Sequence, residues 1–189
     1  NLAQMSLVEQ SPAGGSDFKV TSTTSLVPTE YGTRVFHKLR YDFLSDLTLT
    51  DPKHQLRLLT LNNDVTASSK LNKVSYLNAA GQQVDMDLPH NGNYDLDAVP
   101  LSASHPWVAT YGGVATANVG YIVQSVDGSL NGEAIGMNNL AVSLKSTNVK
   151  NPTYLVPNLD SASIKAGDHI DLVVEVYSYK GEDGAAPVA

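Results

Sequence analysis

Residues Thr33–Leu44, TRVFHKLRYDFL, alternate without a break, with Val35, His37, Leu39, Tyr41 and Phe43 on one side and Arg34, Phe36, Lys38, Arg40 and Asp42 on the other. Successive side chains of an extended chain point to opposite faces, so the stretch predicts one long β-strand with a face toward a core. At about 3.3 Å per residue it spans roughly 40 Å, the full width of a domain. A second stretch of the same kind lies near the end of the chain. Within Asp168–Tyr179, Ile170, Leu172, Val174 and Val176 alternate with Asp171, Val173, Glu175 and Tyr177.

The segments around and between these two supply further strands. Phe18–Leu26 is rich in Thr and Ser and is stopped by Pro28, whose ring removes a ladder donor. After Leu44, Leu47 and Leu49 precede an Asp51-Pro52 turn, and Leu56, Leu58 and Thr60 follow it. Two strands about a turn is the expected arrangement, with a short helix over Pro52–Leu61 as the alternative. Lys73–Leu77, the turn Asn78-Ala79-Ala80-Gly81 and Gln83–Leu88 form the clearest hairpin, with Val74, Tyr76, Val84, Met86 and Leu88 as its inward positions. Trp107–Tyr111, Val119–Val126, Leu140–Leu144 and Asp160–Ile164 complete the set. Pro89–Ala103 and Asp127–Asn139 are rich in turn formers and read as elaborated loops, which in compact domains are usually functional or interfacial. Asn1–Ser16 lacks sustained periodicity and reads as an arm lying on a neighbour or on the domain itself.

About nine or ten strands without a convincing amphipathic helix predict an all-β chain: an antiparallel β-sandwich and, among sandwiches, a jelly roll. The expected organisation is an arm over 1–16, one sandwich domain over 17–180 and a flexible tail over 181–189.

A chain of 189 residues buries enough surface to fold without a covalent staple. It has no cysteine, which excludes disulfides, thiolate nucleophiles, iron–sulfur clusters and cysteine-bound zinc. Its 12 Lys and Arg stand against 19 Asp and Glu, a net charge of −7, so a surface that neutralises phosphates is not expected. No apolar run approaches the roughly 20 residues of a membrane span. Heavy use of Ser, Thr and Asn with few charges is common in secreted and virion proteins. The one glycosylation-like triplet, Asn151-Pro152-Thr153, is blocked by its proline.

Candidate chemistry is sparse. His37 sits among core positions with no second histidine two residues away, and is expected to be a hydrogen-bonded core residue. His54, His90, His105 and His169 fall near predicted turns. Asp85-x-Asp87 and Asp95-x-Asp97, with Asn91 and Asn93 between, form a loose oxygen cluster, but they lack the spacing and closing glutamate of a calcium loop. Asp171 and Glu175 share a strand face and stand roughly 13 Å apart, too far for paired-carboxylate hydrolysis without a partner from elsewhere; Glu133 has no marked partner. No nucleophile elbow or phosphate-cradling glycine motif is present, so no catalytic residue, cofactor or metal is assigned. Two surfaces remain. The row Arg34, Phe36, Lys38 and Arg40 is a candidate interface with the acidic surface of another copy. Asn91, Asn93, Tyr94, Asp95, Asp97 and Trp107 are a candidate ligand-binding loop, with Tyr111 and Tyr121 as further aromatics for a sugar ring.

An N-terminal arm, two long alternating strands, elaborated loops and a short tail together give the chain an outline that resembles single-jelly-roll viral capsid or coat proteins. The resemblance implies a non-enzymatic structural subunit that assembles with copies of itself, and with other coat subunits, in a virion. It also implies a location on a virion or at a cell surface. The absence of a strongly basic arm departs from coats that hold nucleic acid by direct charge contact. The alternative from another class is a carbohydrate-binding sandwich module or an adhesin or pilus subunit.

Overall fold

The computed structural model describes residues 3–10, 17–29, 32–64, 72–87, 94–112, 118–146, 150–160 and 162–179. Strands β1 (Ala3–Gln10) and β2 (Phe18–Thr29) precede β3 (Gly32–Phe43), which carries the alternating pattern. β3 pairs antiparallel with β2 from Thr29↔Gly32 to Phe18↔Phe43 with no register shift, and β1 pairs with β2 from Ala3↔Leu26 to Gln10↔Lys19. Over these residues the segment read as an arm is a strand of the domain's own sheet. Met5, Leu7 and Val8 do not hold a period of two, which hides the strand in the sequence.

β4 (Leu47–Leu49) is followed by a single helical turn, α1 (Pro52–Gln55), and then β5 (Leu59–Asp64). Both sequence options hold in part. Pro52 opens the turn, where its missing N–H costs nothing, and the extended pattern resumes after it. The expected hairpin is β6 (Lys73–Leu77) with β7 (Gln83–Asp87), burying Val74 and Tyr76 and packing Val84 and Met86 against the core; Leu88 lies outside the described residues.

Beyond it the two expected loops are corrected. β8 (Tyr94–Pro100) occupies the middle of Pro89–Ala103. After β9 (Trp107–Tyr111), β10 (Asn118–Leu130) runs on through Asp127 and Gly128, and β11 (Glu133–Ile135) returns from a two-residue turn at Asn131-Gly132. That turn has φ of 53° and 81°, the doubly positive pair that Asn-Gly supplies in a hairpin whose twist matches its strands. β12 (Leu140–Ser146) leads to β13 (Lys150–Pro157), unexpected because Pro152 and Pro157 argue against a central strand. The strand holds because Pro157 sits at the end of its pairing with β12, opposite Leu140, and Pro152 lies near the far end of its pairing with β5. β14 (Ala162–Ile164) and β15 (His169–Tyr179) complete the chain.

The strands form two main antiparallel sheets packed as a sandwich. The larger runs β1-β2-β3-β15-β10-β9-β6-β7, with β11 beside β10; the smaller runs β5-β13-β12-β8; β14 and β4 make a separate pair. Early strands pair with late ones in nested fashion: β3 with β15, β5 with β13, β8 with β12, β9 with β10. Between the sheets lie Tyr41, Val74, Val108, Tyr121, Val123, Ile170, Leu172 and Val174 from the larger and Leu61, Val142, Leu144 and Leu155 from the smaller. At about 4.8 Å per strand the larger sheet is roughly 34 Å wide and the smaller roughly 14 Å. Coverage is therefore unequal. Inward residues of β15, β10, β9 and β6 are buried apart from the half-buried Val176 and Val119, those of β3 only from Tyr41 onward, and those of β2 only partly, with Leu26 exposed.

Candidate functional site

The outward row of β3 is built by register. Asp171 of β15 lies opposite Arg40, and Glu175 lies opposite Phe36, two residues from Arg34 on the same face. Arg34 Nε donates to Glu175 Oε1 at 2.6 Å and its Nη2 to Oε2, a two-pronged clasp, while its guanidinium also stands 5.1 Å from the Phe36 ring centre. Arg40 donates through Nη1 to Asp171 Oδ2 at 2.5 Å and through Nε to Asp42 Oδ1 at 2.8 Å. The hydrogen bond that Arg34 donates to Glu175 raises its guanidinium above the ordinary value, and the one that Arg40 donates to Asp42 does the same for Arg40. This corrects the picture of a basic row awaiting an acidic neighbour. Two of its cations are matched within their own sheet by β15, and only Lys38, exposed opposite Val173, retains an outward charge without a carboxylate across from it in register. The same clasp occupies both carboxylates of the Asp171 and Glu175 pair.

Glu175 is buried although it lies on the outer face. A register shift in β10 between Val123 and Ser125 makes Gln124 the extra residue of a bulge, and its Nε2 donates to Glu175 Oε2 at 3.1 Å. Next along that face the Tyr177 ring lies over Gly120: a Cβ at Gly120 would stand 2.4 Å from the ring, so only glycine fits. Burial pushes the Tyr177 and Tyr121 hydroxyls up from the usual phenol range.

A second polar centre escaped the sequence reading. Asp168 is buried; its Oδ2 accepts the N–H groups of Asn131 at 2.6 Å and Lys165 at 2.8 Å, and its Oδ1 accepts the Ser129 hydroxyl at 3.3 Å. One carboxylate thus staples the β10–β11 turn to the β14–β15 turn. From outside, Asp46 accepts Lys165 Nζ at 2.7 Å and the Ala166 N–H at 3.0 Å, and those bonds hold its carboxyl below the ordinary value. In sequence, Asp168 shows only as a turn residue after Gly167.

The candidate ligand loop is not assembled as expected. Asn91 and Asn93 lie outside the described residues. Tyr94 and Asp95 are in β8 opposite Ser146 and Lys145, and Asp97 is exposed in the stretch where the β8–β12 register shifts. Trp107 is no surface platform: it is 3% exposed, in β9 opposite Ile122 and on the other face from Val108. Tyr121 is fully buried, and Tyr111 is buried with its hydroxyl donating to Asp85 Oδ1 at 2.8 Å. Burial works against the charge on Asp85, but hydrogen bonds from Tyr111 and Gln83 hold its carboxyl below the ordinary value. Asp87 stands 3.8 Å from Lys73 Nζ.

The described histidines lie in separate elements. His37 Nδ1 is 2.9 Å from Thr24 Oγ1, His169 lies in β15, His105 is exposed, His54 falls in α1 and His90 lies outside the described residues. Among the described residues no three His, Asp or Glu side chains are placed to hold a metal ion. No helix among them is long and apolar enough to cross a membrane.

Among the described residues, the wing of the large sheet beyond the small one is left open. A cleft of about 460 Å³ lies where β2 and β3 overhang β5, lined by Phe18, Val20, Leu39 and Tyr41 on one side and Arg57 to Thr60 on the other. Further out on β2, Leu26 and Val27 are each 37% exposed. The sequence matches no family model and no curated protein.

Proposed function

We propose that this chain is a non-enzymatic structural subunit that assembles with copies of itself, and with other coat subunits, into a larger particle of capsid or coat type, in a virion or at a cell surface. The observation that carries the reading is the mismatch of the two sheets. Among the described residues a wing of β1 and β2 extends past the smaller sheet, so the inward face of β2, with Leu26 exposed at its end, lacks the cover its neighbours have, as befits a surface that another subunit covers. The nested strand pairing also supports a jelly-roll-type body, since a jelly roll pairs its eight strands from the outside in. The division between sheets is this chain's own: the second and third pairs share one sheet, and the first and fourth share the other.

The carbohydrate-binding or adhesin reading has less support, because three of the aromatic residues it needs at the surface, Trp107, Tyr111 and Tyr121, are buried. The charge of −7 favours partners other than nucleic acid. Sedimentation velocity over roughly 1–100 µM protein, with electron microscopy of the heaviest species, tests the proposal. Mass that rises with concentration toward a regular particle is expected; a monomer throughout refutes it.

A further inference from the structure

We propose that β1 is the edge on which a second copy of this chain docks, the two β1 strands pairing antiparallel about a two-fold axis so that the large sheet continues from one copy into the next. The inference rests on the self-assembly reading and names its contact.

Among the described residues five strands of the two main sheets have a neighbour on one side only, and they are not alike: β11, beside β10, has three residues and carries Glu133. Strand edges left in solvent are normally blunted by charge, proline, bulges or shortness, because their free N–H and C=O groups template another strand. β7 has five residues and carries Asp85 and Asp87. β8 carries Asp95, Asp97 and Pro100 and contains a register shift. β5 ends in Asp64 and is overhung by β2 and β3. β1 has eight residues, AQMSLVEQ, with Glu9 as its sole charge and no proline; it pairs with β2 without a shift, and β2 pairs with β3 the same way. Apart from Glu9, the protections found on the other edges are missing from this one.

Two further features bear on the contact and its direction. Leu26 and Val27, exposed apolar residues on opposite faces of β2, lie beside the start of β1, so each face of the sheet carries one apolar residue next to the unguarded edge. Charge then separates the two ways of pairing. A parallel β1–β1 contact sets Glu9 beside Glu9. An antiparallel contact centred on Ser6 sets each Glu9 opposite the partner's Ala3, roughly 20 Å from its counterpart, and extends the joined strands to the level of Leu26 and Val27. A closed two-fold contact of this kind uses one surface on both copies.

The absence of cysteine makes the test direct, since an introduced thiol reports only on its own surroundings. Ser6→Cys in the full chain is expected to give a disulfide-linked dimer under mild oxidation, whereas Gln82→Cys, at the exposed turn before β7, stays monomeric. Ser6→Lys, which sets two cations against each other at the axis, is expected to abolish the dimer in sedimentation while leaving the circular dichroism spectrum and thermal unfolding of the monomer unchanged. Self-association that persists in Ser6→Lys, or Ser6→Cys linking no faster than Gln82→Cys in a preparation that does associate, overturns the β1 contact and leaves the assembly reading standing. A chain that is monomeric at every concentration and never cross-links overturns both.

Discussion

Replacing Asp168 by alanine isolates the device that joins two distant turns. The carboxylate is buried and takes three hydrogen bonds, two of them short and from backbone N–H groups belonging to Asn131 and Lys165. Losing a charged acceptor costs more than losing a neutral one, and each stranded N–H adds its own penalty of about 1–3 kcal/mol. Asn131 and Lys165 are themselves exposed residues, so water reaches part of the vacated space and the lower end of that range applies to each. The expected loss is about 2–3 kcal/mol, or about 5–10 °C in Tm for a chain of this size. Urea unfolding followed by tryptophan fluorescence reads the total, with Trp107 as the single probe. Amide hydrogen exchange reads the mechanism, because the Asn131 and Lys165 N–H groups should exchange at least about tenfold faster in the variant. Ser129→Ala, which removes only the 3.3 Å contact, should cost about 0.5 kcal/mol. A loss below about 1 kcal/mol in Asp168→Ala, or equal losses in the two variants, refutes the staple.

Arg34→Ala leaves the buried Glu175 carboxylate with Gln124 as its remaining described partner and should cost about 1–3 kcal/mol; the same change in a Glu175→Gln background should cost clearly less, and equal costs in the two backgrounds show that the pair is not coupled. Charge reversal of Arg34 or Arg40 therefore weakens the fold itself, and a loss of assembly in such variants is interpretable only beside an unfolding curve. Gly120→Ala drives a methyl group into the Tyr177 ring and should destabilise by about 1–3 kcal/mol, with Tyr177→Ala restoring tolerance of the alanine; unchanged denaturation midpoints count against the contact. Burial pushes the Tyr41 hydroxyl from 10.0 to about 12. The stabilisation this represents is complete below pH 10 and is lost as pH rises toward about 12, because the unfolded chain ionises first, at about 1.4 kcal/mol per pH unit. Tyr41→Phe should cost about 1 kcal/mol at neutral pH through the lost 2.5 Å bond to the Leu58 carbonyl, and should lose less stability than the native chain between pH 9 and pH 11.5; parallel losses exclude Tyr41 as the titrating group.

The chain's two longest alternating stretches and its sharpest hairpin were legible because a half-buried strand imposes a period of two on its own residues. Val35 to Phe43 and Ile170 to Val176 carry that record directly, and β6–β7 adds a turn signal. The short or mixed strands did not carry it. β1 lies at a sheet edge with weak alternation, β8 is bordered by turn formers, and β13 is held in place despite two prolines by partners on both sides. Their strand character comes from the neighbours they meet, to which a local pattern is blind.

The candidate sites follow the same division. From sequence alone, Arg34, Lys38 and Arg40 make an outward basic row and Asp171 and Glu175 an outward acidic one, on strands more than 130 residues apart. Each row is correctly placed on its own strand. Whether the two rows face solvent or each other depends on which strands are neighbours and in what register, and pairing β3 beside β15 cancels most of the charge that made either row a candidate site. Sequence determined the all-β class, the long strands and the absence of thiol chemistry, because those depend on local periodicity and composition. Tertiary structure decided that Trp107 is buried, that Asp168 staples two turns, and that β1 is an edge, because burial, long-range hydrogen bonds and free edges are properties of strand order, and strand order leaves no periodic trace in the chain.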